Sequence, residues 1–255
     1  MIDLAPYVRA AIEAATAGGA RAMRHFDDPE LVVETKSDST PVTRADRESE
    51  AAVLSTLARA FPSHKIVSEE SGLKDGDAAF TWYVDPVDGT RAFTRGLPGW
   101  ATLVALVHEG RPSVGVVYGP ACDTLAVAWR GGGAWVNGRP ARVSRTAELS
   151  KATVAFGSLD LLSSTRWKER ALPLMARCFS ARGISDAFAH VLVAQGKLDA
   201  MVEPRVNAWD VAPLGILVEE AGGRATDLAG APRLDGGDWL SSNGALHDEL
   251  LGALR

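Results

Sequence analysis

Hydrophobic patterning changes character near the middle of the chain, and that change restricts the fold more than any other feature. The runs 65–68, 81–85, 100–107, 113–118 and 124–129 are β-rich and follow one another directly, with turn residues such as Glu109-Gly110 and Gly119-Pro120 between them. Beyond about Val143 the signals alternate: strand 153–156, helices 165–179 and 186–195, strand 199–203, helix 208–221, strand 223–227 and a last helix from His247. Two helices precede the first strand. The segment 4–26 places Leu4, Val8, Ala11, Ile12 and Ala15 at helical spacing, with Asp3 as N-cap and Gly18-Gly19 weakening its middle. A polar, Pro-containing loop over 36–42 leads to a second helix, 43–60, which Phe61-Pro62 stops. Gly131-Gly-Gly133 and Asn137-Gly138 mark tight turns, the second a hairpin signal. The order predicts layered α and β in two closely packed subdomains, 1–147 and 148–255, with a cleft between them.

Composition excludes several classes of function. The 255 residues are 46% hydrophobic, and 27 Lys and Arg against 32 Asp and Glu leave a net charge of −5, with no global attraction for a nucleic-acid backbone. The longest apolar stretch, 100–107, is too short to span a bilayer, and MIDLAPYVRA lacks the basic-then-apolar order of a signal peptide, so no membrane partner and a cytoplasmic setting are expected. Cys122 and Cys178 are the only cysteines and have no metal-ligand spacing, which predicts two reduced thiols. The five histidines, at 25, 64, 108, 190 and 247, lack such spacing too and read as surface or packed residues.

Chemistry points to the acids. Asp85-Pro-Val-Asp88-Gly-Thr90 follows the apolar run Trp82-Tyr-Val84, so two carboxylates sit where a strand ends. Pro86 interrupts a regular ladder there, and Gly89 permits a turn that aims successive N–H groups at an anion such as phosphate. Glu69-Glu70 ends another short strand. Asp46 and Asp210 each lie three residues after a cap, Thr43 and Asn207, and also read as helix-start acids. Glu203 ends the strand 199–203, and the segment from it to Asp210 reads as a connecting loop with a packed Trp209. If Glu69, Asp85, Asp88 and Asp210 share a cleft, their charges repel and demand protons or cations. All-oxygen ligands, with the Val87 carbonyl between the aspartates, favour Mg²⁺ over Zn²⁺.

Lys36-x4-Pro41-Val-Thr43-x2-Asp46, Glu69-Glu-Ser71, Asp85-Pro-Val-Asp-Gly-Thr90 and Trp209-Asp-Val-Ala-Pro213 together resemble the inositol monophosphatase superfamily of Mg²⁺-dependent, lithium-sensitive phosphatases. Order and length agree over essentially the whole chain. The resemblance implies an α/β fold, a five-layered αβαβα sandwich, usually homodimeric, acting on a small phosphate ester. It implies two or three Mg²⁺ per site: one on Glu69, Asp85 and the Val87 carbonyl, a second on Asp85, Asp88 and Asp210, and a weaker third on Glu69. Thr90, with Asp46 as its acceptor, would orient the attacking water, and Asp88 with the Gly89 and Thr90 N–H groups would meet the phosphate. No covalent intermediate is required.

Substrate identity is expected mainly from the second half. Arg182-Gly-Ile-Ser-Asp186, the Glu203 to Asp210 segment and the ending from Gly236 to Asp248 resemble the histidinol-phosphate phosphatases of the superfamily. Typical inositol phosphatases hold a small residue in place of Asp186, which here also reads as the N-cap of its helix. Asp186 and Glu203, alongside Asp210, would hold a cationic leaving group, with Arg182 closing over phosphate or imidazole. An inositol or broad sugar-phosphate phosphatase is the alternative with unchanged chemistry. Asp85-x-x-Asp88-Gly-Thr90 also superficially resembles the nucleophilic motif of haloacid dehalogenase phosphatases, but has one residue too many between its acids and no matching downstream lysine and acid pair. A non-catalytic metabolite sensor is disfavoured by intact Asp46, Asp88 and Thr90.

Overall fold

The computed structural model describes residues 2–37, 39–184 and 186–255. The first apolar stripe forms α1 (Ala5–Ala22), where Leu4 holds the N-cap position while Asp3 Oδ1 accepts from the Ala5 N–H at 3.0 Å. Gly18 and Gly19 do not break this helix. A methyl group at Gly18 would lie 2.6 Å from Val53 Cγ2, and one at Gly19 would lie 2.4 Å from Tyr118 Cδ1. The pair therefore gives up helix propensity for close approach to the second helix and the sheet below.

Short strands β1 (Val33–Thr35) and β2 (Pro41–Thr43) pair antiparallel, so the expected loop over 36–42 ends at Pro41. Three-residue strands carry too little alternation to be read from sequence. Thr43 then caps α2 (Arg44–Ala60): its Oγ1 accepts from the Ala45 N–H at 3.1 Å, and Asp46 Oδ2 accepts from the Thr43 N–H at 2.8 Å. Loss of such a cap costs about 1 kcal/mol.

A run of strands follows: β3 (His64–Ser68), β4 (Gly72–Lys74), β5 (Asp77–Asp88), then, after the one-turn helix α3 (Thr90–Phe93), β6 (Ala101–His108), β7 (Arg111–Gly119), β8 (Thr124–Trp129), β9 (Gly133–Val136) and β10 (Arg139–Ala141). They form an eight-stranded sheet in the order β10-β9-β8-β7-β6-β5-β3-β4, antiparallel except for β3 beside β5. Part of the short polar connection 71–80 is thus β4, hairpinned on β3. Asn137 and Gly138 both take positive φ, as the β9–β10 hairpin turn requires.

The second half supplies β11 (Thr153–Phe156), α4 (Leu159–Ser163), α5 (Lys168–Arg177), β12 (Ser180–Arg182), α6 (Asp186–Ala194), β13 (Ala200–Glu203), α7 (Ala208–Glu220), β14 (Arg224–Thr226), β15 (Trp239–Ser242) and α8 (His247–Leu254). Its sheet runs β12-β11-β13-β15-β14. The expected helix 165–179 starts only at Lys168, because the Thr165 hydroxyl takes the Leu162 carbonyl at 2.7 Å and accepts from the Trp167 N–H at 3.3 Å.

Helices α1 and α2 cover one face of the large sheet, α6 and α7 lie between the two sheets, and α5 and α8 cover the far face of the smaller one. This is the five-layered αβαβα sandwich. Strand β6 is buried on both faces: Val104 and Leu106 join the α1–α2 cluster, while Ala101 and Leu103 join the cluster around α6 and α7. That burial explains why 100–107 is a near-continuous apolar run, broken only by Thr102. Among the described residues no helix is long and apolar enough to cross a membrane.

Candidate active site

Strand β5 runs to Asp88 instead of stopping at Asp85, and Pro86 appears as a slip of register against β6 between those two aspartates. Because Pro86 has no N–H, its peptide cannot complete the ladder; its carbonyl is taken instead by Ser49 Oγ at 2.9 Å and Thr102 Oγ1 at 2.8 Å. Both aspartates flanking the slip, Asp85 and Asp88, line the cavity described below. Gly89 then turns the chain at φ +79°, where a side chain would be strained and would meet the Gly99 carbonyl at 2.9 Å.

Three elements bring the acids together. Asp85 and Asp88 come from β5, Glu69 from the residue after β3, and Asp210 from the first turn of α7. One carboxylate oxygen each of Asp85, Asp88 and Asp210 lies within 4.8 Å of the others. Glu69 stands outside that group of three but lines the same cavity, and its Oε1 accepts from Lys36 Nζ at 2.9 Å; Lys36 also reaches Glu70 Oε1 at 2.5 Å. Asp88 Oδ2 accepts from the Ala187 N–H at 2.7 Å, which ties β5 of the large sheet to the start of α6. The cavity, about 730 Å³, is lined among others by Glu69, Asp85, Val87, Asp88, Gly89, Thr90, Asp186, Glu203, Trp209 and Asp210.

Of the two helix-start acids, Asp210 lines the cavity, while Asp46 lies behind it and meets it through Thr90. Asp46 is fully buried; its Oδ2 serves the cap of α2 and its Oδ1 accepts from Thr90 Oγ1 at 3.3 Å. Thr90 Oγ1 also lies 2.8 Å from the Val87 carbonyl. Asp210 Oδ2 accepts from the Asn207 N–H at 2.7 Å, leaving its other oxygen for the cleft. Trp209 sits in that first turn of α7 and lines the cavity, so the segment from Glu203 is more than a connecting loop.

Crowding makes these carboxyls weak acids. Burial, then the charges of Glu69, Asp88 and Asp210, push Asp85 well above the carboxylate range; burial, then Asp186 and Asp210, do the same to Asp88. Asp210 is pushed up to about 7, chiefly by burial. Burial also raises Asp46, against the hydrogen bonds from Thr43. For Lys36 burial opposes the charge, but Glu69 and Glu70 outweigh it and raise the ammonium above its usual range. Three hard oxygen donors that cannot all ionise side by side, with the Val87 carbonyl and Glu69 adjoining, fit a divalent cation.

The remaining expected residues divide. Asp186 and Glu203 line the cavity beyond the three aspartates; Arg182 is exposed on β12, at the edge of the smaller sheet, and is not part of the lining. Burial pushes Glu203 up to about 8, against a hydrogen bond from the Asp186 backbone. The motif residue Lys36 gave no sign in sequence that it would grip Glu69 and Glu70, and Ser158 on the cavity wall was not anticipated; Arg205 and Gly237 on that wall fall within the segments 203–210 and 236–248 read for substrate identity. His190 was expected as a surface or packed residue; it is packed, and its ring meets Glu203.

A family model, the inositol monophosphatase family, matches residues 3–255. The chain is 44% identical over 234 residues to a histidinol-phosphatase of Mycobacterium tuberculosis, covering 89% of each protein, and 37% identical to one of Streptomyces coelicolor, covering 100% of this chain and 98% of the other. It is similar to the solved inositol monophosphatase of Anabaena (Nostoc) with a TM-score of 0.87 and 35% identity, over 99% of this chain and 96% of that one. The chain belongs to the inositol monophosphatase family. It is accordingly a phosphoric monoester hydrolase.

Proposed function

We propose that the chain hydrolyses L-histidinol phosphate to L-histidinol and phosphate, a step of histidine biosynthesis, in an Mg²⁺-dependent reaction. One observation carries this reading: beyond the three clustered aspartates, the cavity wall holds two further acids, Asp186 and Glu203. A phosphate flanked by a divalent cation needs no more negative charge around it, whereas an alcohol bearing an ammonium and an imidazole does. The likeness to two histidinol-phosphatases supports the same choice.

Asp85, Asp88 and Asp210, with Glu69 and the Val87 carbonyl beside them, are the residues that would hold Mg²⁺. When bound, Mg²⁺ neutralises phosphate oxygens and acidifies the attacking water. The chain's own part is orientation. Thr90 Oγ1 gives its proton to Asp46 Oδ1 or to the Val87 carbonyl, 3.3 and 2.8 Å away, so its lone pairs face the cavity and accept from a water there. Gly89, in its left-handed conformation, sets the Gly89 and Thr90 N–H groups toward phosphate. The reading carries with it a homodimer and lithium sensitivity, each an implication of the family pattern.

Comparing kcat/KM for L-histidinol phosphate and inositol 1-phosphate tests it. One desolvated charge pair contributes roughly 1.5–3 kcal/mol, so a preference of at least tenfold for the histidinol ester is expected. Equal or faster turnover of the inositol ester would replace this reading with an inositol phosphatase.

A further inference from the structure

Glu203 does not stand alone at the cavity wall. It ends β13, nearly buried, and its Oε2 lies 3.3 Å from Nε2 of His190 on α6. The His190 ring is 1% exposed, and its Nδ1 lies 2.8 Å from Ser241 Oγ on β15. On the other side, the absent side chain of Gly157 makes room: a methyl group there would lie 2.1 Å from Glu203 Oε1. None of His190, Ser241 and Gly157 lines the cavity.

The proton inventory of this chain of groups follows the charge on Glu203. A neutral imidazole carries one N–H. Placed on Nε2, it donates to the Glu203 carboxylate, and Nδ1 then accepts from the Ser241 hydroxyl. This wiring satisfies both ring nitrogens with Glu203 ionised, the form that a cation in the cavity favours in a carboxyl whose pKa burial otherwise raises to about 8, and leaves Oε1 beside Gly157. The reverse tautomer suits a neutral Glu203, whose O–H would donate to Nε2; once the carboxyl ionises it would leave two acceptors face to face, so ionisation and the Nε2–H tautomer go together.

We infer that His190, oriented by Ser241 and given space by Gly157, is a positioning residue that sets Glu203 for a cationic leaving group and thereby selects the substrate. The inference rests on the substrate reading above. It does not involve the phosphoryl-transfer groups.

The ratio of kcat/KM for L-histidinol phosphate to that for inositol 1-phosphate, measured on one preparation, is independent of how much of a variant folds. Glu203→Gln fixes the scale, with an expected fall of roughly tenfold in the ratio, the effect of losing one charged hydrogen-bonding partner. His190→Phe, which keeps the ring volume but removes the donor, is expected to match it, as is Gly157→Ala. His190→Gln, which keeps an N–H near the Nε2 position, is expected to retain most of the ratio. In the double variant His190→Phe with Glu203→Gln the losses should not add. A wild-type enzyme without preference for the histidinol ester overturns the substrate reading and this inference with it. A wild-type preference that survives His190→Phe and Gly157→Ala, or that falls equally for both esters, overturns the inference alone.

Discussion

Replacing Asp88 by Asn is expected to lower kcat by about 10³-fold, equivalent to roughly 4 kcal/mol of transition-state stabilisation, while leaving the fold intact. The amide keeps an oxygen that accepts from the Ala187 N–H, the 2.7 Å bond docking α6 onto β5, but it removes one charge from the group formed with Asp85 and Asp210. Without metal the variant should melt no lower than wild type, since one of three mutually repelling carboxyls, itself buried, is gone. Asp88→Ala, by contrast, leaves the Ala187 N–H without its acceptor, at a cost of about 1–3 kcal/mol, and should melt lower. Phosphate release and thermal melting on the same samples separate the two effects. Activity within about tenfold of wild type in Asp88→Asn would contradict the role given to this residue.

The second large effect concerns stability and pH. Asp85 and Asp88 have raised pKa values in the folded chain, Asp210 is raised to about 7 and Glu203 to about 8, all mainly by burial. Since the folded state holds these protons more tightly than the unfolded chain, the metal-free protein has their full stabilisation below the ordinary carboxylate range of about 4 and loses it as pH rises through the raised values. Metal-free melting temperature should therefore fall between about pH 5 and pH 8, opposite in sign to a protein held by salt-bridged carboxylates. On the proposed Mg²⁺-dependent reading, Mg²⁺ should bind the deprotonated group and reverse the loss. At a hundredfold excess over Kd it contributes about 2.7 kcal/mol, or roughly 5–10 °C near pH 8, shrinking toward zero near pH 5. A shift of equal size at both ends would contradict the account.

How much of this was legible in the sequence depended on the kind of signal. Strand β6 and α2 were readable because burial on both faces and a Thr43–Asp46 capping box are local patterns. Strand β15 was not, since Ser241 and Ser242 look polar until His190 and His247, far from them in the chain or across a turn, satisfy their hydroxyls in the core. Gly18-Gly19 read as a helix weakness because propensity is local, whereas the nearness of Val53 and Tyr118 is tertiary. At the site, the acids announced themselves at strand ends and helix starts. Their neighbours did not. Lys36 on Glu69 and His190 on Glu203 are contacts between residues 33 and 13 positions apart, with no spacing rule to reveal them.

The proposed function depends on Asp85, Asp88 and Asp210 acting as a single cation site. Calorimetric titration of the metal-free protein with Mg²⁺ near pH 6.5, repeated in buffers of different ionisation enthalpy, measures that directly, because a group with raised pKa values must release protons as metal enters. Saturable binding with net proton release in the wild type, lost in both Asp85→Asn and Asp210→Asn, is the expected outcome. Absence of binding, or identical binding by the wild type and the two variants, would contradict it.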